Sequence, residues 1–163
     1  DAIITSGGVS VGEADFTKAM MRELGDVAFW KIAMRPGRPM AVGRIGNAVL
    51  FGLPGNPVAV MVTFLAFVRP FLIKMMGGSD PAPPLMQAVC TEALRKKPGR
   101  TEYQRGLITR NATGQLQVCT TGNQGSGVLS SMVQGNGLIV LHHGQQDVHI
   151  GDTVDVMMFD GAI

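Results

Sequence analysis

A short apolar run, Ala2-Ile3-Ile4, leads straight into Thr5-Ser6-Gly7-Gly8-Val9-Ser10-Val11-Gly12-Glu13-Ala14-Asp15. The run predicts a buried parallel strand. Asp15 then stands as N-cap of an amphipathic segment, Phe16 to Leu24, which Gly25 ends. A strand, then glycines and hydroxyls, then a helix start is how α/β proteins present backbone N–H groups to phosphate. Ser6, Gly7, Gly8, Ser10 and Gly12 are the candidate cradle, because glycine lets the main chain approach closely and serine adds a donor. Glu13 and Asp15 supply hard oxygen ligands of the kind Mg²⁺ prefers beside a phosphate. A tight turn without a ligand is the competing reading.

Other features bound the class. Hydrophobic residues make up 45% and charged residues 16% of the 163, which suits a globular protein with a real core. A formal charge of +2 excludes a nucleic-acid binder in the usual electrostatic sense. The two cysteines, Cys90 and Cys119, stand far apart and read as reduced thiols of a cytoplasmic protein. Asp1 begins inside a strand with neither an initiator Met nor a basic leader, so the chain reads as a piece of something longer without a signal peptide. Pro57 to Met76 is the one stretch that raises a membrane question. Its uncharged run stops at Arg69-Pro70, too early to span a bilayer, so a buried helix is expected.

The first half predicts a strand over Val27 to Met34. A hairpin of Met40–Ile45 and Ala48–Leu53 turns on Gly46-Asn47. Asn56 as N-cap with Pro57 at the first position starts a helix that is apolar nearly all round; Pro70 should kink it and Gly77-Gly78 end it. Gly77-Gly78-Ser79-Asp80-Pro81-Ala82-Pro83-Pro84 marks a linker, giving domains 1–78 and 79–163. Beyond it, strands at about Met86–Arg95, Glu102–Ile108, Leu116–Thr120, Gly137–Leu141 and Thr153–Phe159 indicate a small all-β barrel or sandwich.

Arg35-Pro36-Gly37-Arg38-Pro39 holds two guanidinium groups on a stiffened backbone, suited to phosphate or a metal oxyanion. Lys31 lies four residues before Arg35, which on one continuous strand puts both on one face. A solvated basic turn is the alternative. Leu53-Pro54-Gly55-Asn56-Pro57 is a second rigid loop feeding a helix start, where Asn56 either only caps or also helps to bind an anion. Arg105 sits within a strand, and Gly122-Asn123-Gln124-Gly125-Ser126-Gly127 is a donor-rich loop. His142, His143 and His149 have no acidic or thiol partner at ligand spacing and should face solvent.

Together, Ser6 to Asp15, Arg35 to Pro39 and Gly52-Leu53-Pro54-Gly55-Asn56-Pro57-Val58 resemble, in order and spacing, the molybdopterin molybdenumtransferases of the MoeA type and the gephyrin E domain. Pro98-Gly99-Arg100 through Gln104-Arg105-Gly106, and Thr121 to Ser126, extend the likeness into the second half. The resemblance implies an incomplete MoaB/MogA-like three-layer α/β domain followed by a small all-β barrel-like domain. It implies insertion of molybdate into adenylated molybdopterin with release of AMP, aided by Mg²⁺, in a homodimer with possible contacts to other proteins of cofactor synthesis, and with no role for nucleic acid or membrane. Carried over, the metal position falls on Asp15 and the anion positions on Lys31, Arg35 and Arg38, beside Pro39. The Pro-Gly-Asn-Pro loop is Pro54 to Pro57, and the oxyanion-binding pair looks like Arg105 and Ser126. Two departures stand out: the family often has lysines where Arg35 and Arg38 stand, and a serine where Ala59 stands. The family's two N-terminal domains are missing, so this piece alone is expected to be inactive. A non-catalytic pterin- or nucleotide-binding scaffold is the alternative, and a nucleotide hydrolase a more distant one.

Overall fold

The computed structural model describes residues 1–7, 9, 19, 23–79 and 82–159. It divides into two compact units, one of residues 1–32 and 36–79, the other of 33–35 and 80–163. Gly8, Ser10, Gly12, Glu13 and Asp15 of the predicted cradle and metal position lie outside the described residues.

The first unit contains strands β1 (Ala2–Ser6), β2 (Asp26–Lys31), β4 (Pro39–Ile45) and β5 (Ala48–Leu53) in one sheet, ordered β1-β5-β4-β2. β1 runs parallel to β5; the other pairings are antiparallel. β4 and β5 form the expected hairpin, with Ile45 opposite Ala48 and Gly46 at φ +58°, where glycine has no Cβ to clash. Both faces of this sheet are filled. Leu50 joins Val9, Val27 and Ala41 on one side, while Phe51 and Leu53 join Met40 and Val68 on the other. That two-sided burial is why β5 reads as an unbroken apolar run.

A helical rod completes this unit: α1 (Pro57–Thr63), a π turn (Phe64–Val68) and α2 (Arg69–Met75). The sequence leads one to expect a kink at Pro70. The structure instead places a π turn just before it, with the Arg69 N–H donating to the Phe64 carbonyl five residues back. The extra residue in the turn relieves the clash of a proline ring with the carbonyl four residues earlier. The rod from Pro57 to Met75 is long and apolar enough to cross a bilayer by length and composition. It thus runs on past Arg69-Pro70, where the uncharged run was expected to stop too early for a bilayer. Val58, Val62, Leu65 and Val68 are buried, but only 33% of its most apolar stretch is, and Met61, Phe67, Phe71 and Met75 are exposed.

Two expectations need correction. β1 is parallel as predicted, but it is the edge strand, and Ile3 and Ile4 are 37% and 45% exposed. An apolar run signals burial only where another layer covers it. The strand predicted over Val27 to Met34 is in fact two. β2 ends at Lys31, and Met34–Arg35 forms a separate strand, β3, in the sheet of the second unit. Ile32 closes the first ladder by donating to the Arg38 carbonyl, and Thr101 opens the next by donating to that of Ala33. Met34 is only 2% exposed, so apolar character continues across the break. Hydropathy alone cannot separate two short strands in series from one long one.

The second unit is a closed barrel. β6 (Met86–Cys90), β7 (Thr101–Arg110), β8 (Leu116–Thr120), β9 (Gly137–Leu141) and β10 (Thr153–Met158) pair in the circuit β7-β8-β6-β10-β9-β7, with β3 added beside β7. Closure removes free sheet edges. Ala88, Cys90, Ile108, Val118, Ile139 and Val156 fill the interior. The strand expected to reach Arg95 stops at Cys90; beyond it Leu94 makes only an isolated bridge to Val148. A short helix, α3 (Ser130–Gln134), was not foreseen.

Candidate functional site

In the first unit, two of the predicted loops meet at the carboxyl ends of the parallel neighbours β1 and β5, where open α/β sheets place their ligands. Ser6 lies opposite Leu53, and the next N–H, that of Gly7, donates to the Leu53 carbonyl at 3.0 Å. Gly7 has φ +86°, and a Cβ built on Gly55 would lie 3.4 Å from the Gly7 Cα. The Ser6-Gly7 and Pro54-Gly55-Asn56-Pro57 loops therefore approach backbone to backbone, a proximity side chains would obstruct. Asn56 caps the helix: its Oδ1 accepts from Ala59 N–H at 3.5 Å and its carbonyl from Val60 at 2.9 Å. Ala59 itself is buried. The Thr5 Oγ1 is buried without a hydrogen-bond partner among the described residues, a polar group left over beside this junction. Lys31, Arg38 and Pro39 stand together where β2 ends and β4 begins, with Lys31 paired to Pro39 and both cations exposed.

Arg35 is not on the Lys31 strand, so the one-strand geometry expected for these two cations does not hold. It belongs instead to the barrel unit, opposite Glu102 across the β3–β7 pairing. There it joins Arg105. Arg105 is 1% exposed, and its pKa is lowered first by burial and then by the charge of Arg35. Two predicted anion residues, 70 positions apart in sequence, thus share one electrostatic neighbourhood.

The surroundings hold the Arg105 guanidinium in place. Nε donates to Ser131 Oγ at 2.9 Å and Nη2 to the Gly125 carbonyl at 3.0 Å. The Gln124 amide clamps the Arg105 backbone from both sides, accepting from its N–H at 2.7 Å and donating to its carbonyl at 3.1 Å. Ser131 Oγ in turn donates to the Val128 carbonyl at 2.6 Å. Nη1 has no acceptor, and no carboxylate pairs with Arg105, among the described residues. A buried cation without a counter-ion is costly unless an anion joins it. Ser126 is exposed in the turn that follows Gly125. Gln124 and Ser131 escaped the sequence reading. The first looked like part of a donor-rich loop, and the second lies on an unforeseen helix; the only signal was a serine pair, Ser130-Ser131, between Val128-Leu129 and Met132-Val133.

The histidines are exposed as expected, yet two have carboxylate partners. His142 Nε2 lies 2.6 Å from Asp155 and His149 Nδ1 lies 3.5 Å from Asp152. The His142–Asp155 partnership comes from strand pairing, so residue spacing does not reveal it. Among the described residues no three His, Cys, Asp or Glu side chains gather into a metal cluster.

The two units and their anion-directed loops define a two-domain module of the molybdopterin-binding class. Residues 1–74 match the family described as "Probable molybdopterin binding domain" and residues 87–159 the "MoeA C-terminal region (domain IV)". Together the two matches run along most of the chain, so its two units are similar to the molybdopterin-binding domain and the MoeA C-terminal region. It is 47% identical over 161 residues to the molybdopterin molybdenumtransferase of Haemophilus influenzae, covering 98% of this chain and 40% of that protein. To the molybdopterin molybdenumtransferase of Bacillus subtilis it is 36% identical, covering 97% and 37%. The crystal structure of a molybdopterin biosynthesis MoeA protein from Pyrococcus horikoshii superposes with a TM-score of 0.73 at 25% identity, covering 97% of this chain and 37% of that one. The chain thus spans about two-fifths of the length of these curated relatives.

Proposed function

We propose that this chain forms the anion-handling part of a cytoplasmic molybdopterin molybdenumtransferase, which inserts molybdate into adenylated molybdopterin and releases AMP. The observation that carries the reading is Arg105: a buried guanidinium, hydrogen-bonded on two nitrogens, near Arg35 and without a carboxylate partner among the described residues. A doubly charged tetrahedral oxyanion is the guest such a site lacks. In this reading Arg105, Arg35 and Ser126 hold molybdate, and Lys31, Arg38 and Pro39 add to the anion site. The Ser6-Gly7 and Pro54-to-Pro57 loops cradle the phosphates of the nucleotide with main-chain donors. Holding both reactants in order can lower a barrier by roughly 7–11 kcal/mol at best. Turnover belongs to the longer protein, acting as a homodimer.

Mg²⁺ belongs to the same proposal, with Asp15 as its ligand. Asp15 lies outside the described residues, and the described ones gather no cluster for a cation. What these residues do is bind and orient anions.

The test is Arg105→Lys in the longer protein, followed by molybdate-dependent AMP release. Lysine keeps the charge but loses the planar fork that engages Ser131 and Gly125. A fall of about tenfold to a hundredfold, with molybdate affinity falling in parallel, is expected for loss of one or two charge-assisted hydrogen bonds. Unchanged AMP release would refute the role.

A further inference from the structure

We propose that the barrel unit carries a second oxyanion site, a cationic cavity that takes a phosphate-class dianion, free or as a monoester. The cavity measures about 1190 Å³ and its wall includes Arg35, Arg95, Lys96, Lys97 and Arg100. Glu102 and Asp147 are the only carboxylates among the described residues of its wall. Five cations against two carboxylates leave three net positive charges, more than the +2 of the entire chain. Arg35, Arg95, Lys97 and Arg100 form no ion pair with any described residue. Like charges gathered without partners repel one another until an anion joins them.

The walls are built, not merely charged. Lys96 is only 4% exposed, and its ammonium donates to the carbonyls of Lys97 at 2.7 Å and Gln145 at 3.5 Å, with no carboxylate of the described residues in ion-pair reach. The Lys96 N–H donates to Asp147 Oδ1 at 2.6 Å. Leu94 and Val148 exchange two backbone hydrogen bonds, and Gly99 N–H donates to the His143 carbonyl. The loop of residues 91–100 is thereby stitched to that of 142–149, and a pre-organised wall loses less entropy on binding. The exposed His149 imidazole is the one ring among the described lining residues, which include no Phe, Tyr or Trp. Cationic charge dominates the wall, and that selects the phosphate end of a small molecule. The cavity shares Arg35 with the proposed molybdate site, but none of Arg95, Lys96, Lys97 and Arg100 takes part in the Arg105 hydrogen-bond network, so the two sites can be tested apart.

Calorimetric titration of the chain with orthophosphate and, separately, with ribose 5-phosphate tests this, with backbone amide shifts recorded alongside. Saturable binding is expected. The triple variant Arg95→Gln/Lys97→Gln/Arg100→Gln, all exposed positions, should weaken it at least about tenfold, as loss of charged hydrogen bonds implies. Arg105→Lys should change it by less than about twofold, because the substitution keeps the charge beside Arg35 and touches none of the three residues of the triple variant. Tighter binding of one probe over the other identifies free anion or ester as the guest. Shifts that never saturate, or a triple variant that binds as the parent does, would overturn the second site. Phosphate binding lost in Arg105→Lys alone would also overturn it, while leaving the transferase reading in place.

Discussion

The two units approach the same electrostatic task with different materials. In the first, the junction of the Ser6-Gly7 and Pro54-to-Pro57 loops is main chain against main chain, and the donors on offer are neutral amides already fixed by a strand end and a helix start. In the second, the donor is a full charge on a long side chain, taken out of water and held by Gln124, Gly125 and Ser131. Main-chain donors cost little to bury, since the fold has satisfied and ordered their neighbours. A buried guanidinium costs several kcal/mol in desolvation and must be compensated by hydrogen bonds from wherever the fold can supply them. The Gly7–Gly55 junction should thus depend on glycine and be indifferent to the side chains beside it; the Arg105 network should be the reverse.

The sharpest way to break this contrast is Gly7→Val. Gly7 sits at φ +86°, where an L side chain is strained, and the branched carbons of valine would project toward Gly55, whose Cα lies 4.0 Å from a built Cβ. A loss of about 2–3 kcal/mol in denaturant unfolding is expected. Ser6→Ala next door should shift stability by no more than about 0.5 kcal/mol, because Ser6 is exposed. Equal effects from the two would end the claim that this junction is a main-chain device. A smaller effect is expected from Ser131→Ala in the barrel. It removes the acceptor of Arg105 Nε and leaves a buried donor unmet, costing about 1–2 kcal/mol. Oxyanion affinity should drop with it, as the guanidinium loses its anchor. Stability lost without any change in affinity would make Ser131 a packing residue only.

The same contrast explains how much was legible in the sequence. Local, short-range signals came through: Gly46-Asn47 turns the hairpin, Asn56-Pro57 starts the helix, and Leu116–Thr120 and Gly137–Leu141 are strands to the residue. Main-chain sites are made of such signals, so the Gly7–Gly55 junction could be anticipated from two glycine loops. The network around Arg105 could not. Its partners Gln124 and Ser131 lie 19 and 26 residues away and meet it only because the barrel closes. The transfer of Met34–Arg35 into the other sheet was hidden for a related reason: an apolar pattern records burial but not which core does the burying. The π turn before Pro70 is likewise a compromise among neighbours that a rule about proline alone misses.

The mildest prediction concerns a buried side chain the proposed chemistry does not use. Cys90 is 1% exposed in the barrel core, and its pKa is pushed from 9.0 up to about 11, chiefly by burial and then by the charges of Asp152 and Glu92. The folded chain therefore keeps its proton at a pH where the unfolded thiol has lost it. Stability from this difference is fully present below pH 9 and is lost as pH rises toward about 11. Denaturant midpoints measured from pH 8 to 10.5 should fall along that window for the parent and fall less steeply for Cys90→Ala. Alkylation at neutral pH should track unfolding, because a protonated, enclosed thiol is a poor nucleophile. Rapid modification of Cys90 in the folded barrel would show that closure of the β7-β8-β6-β10-β9 circuit shields its interior less than the burial implies. That would weaken the case that Arg105, enclosed by the same unit, bears an unrelieved charge.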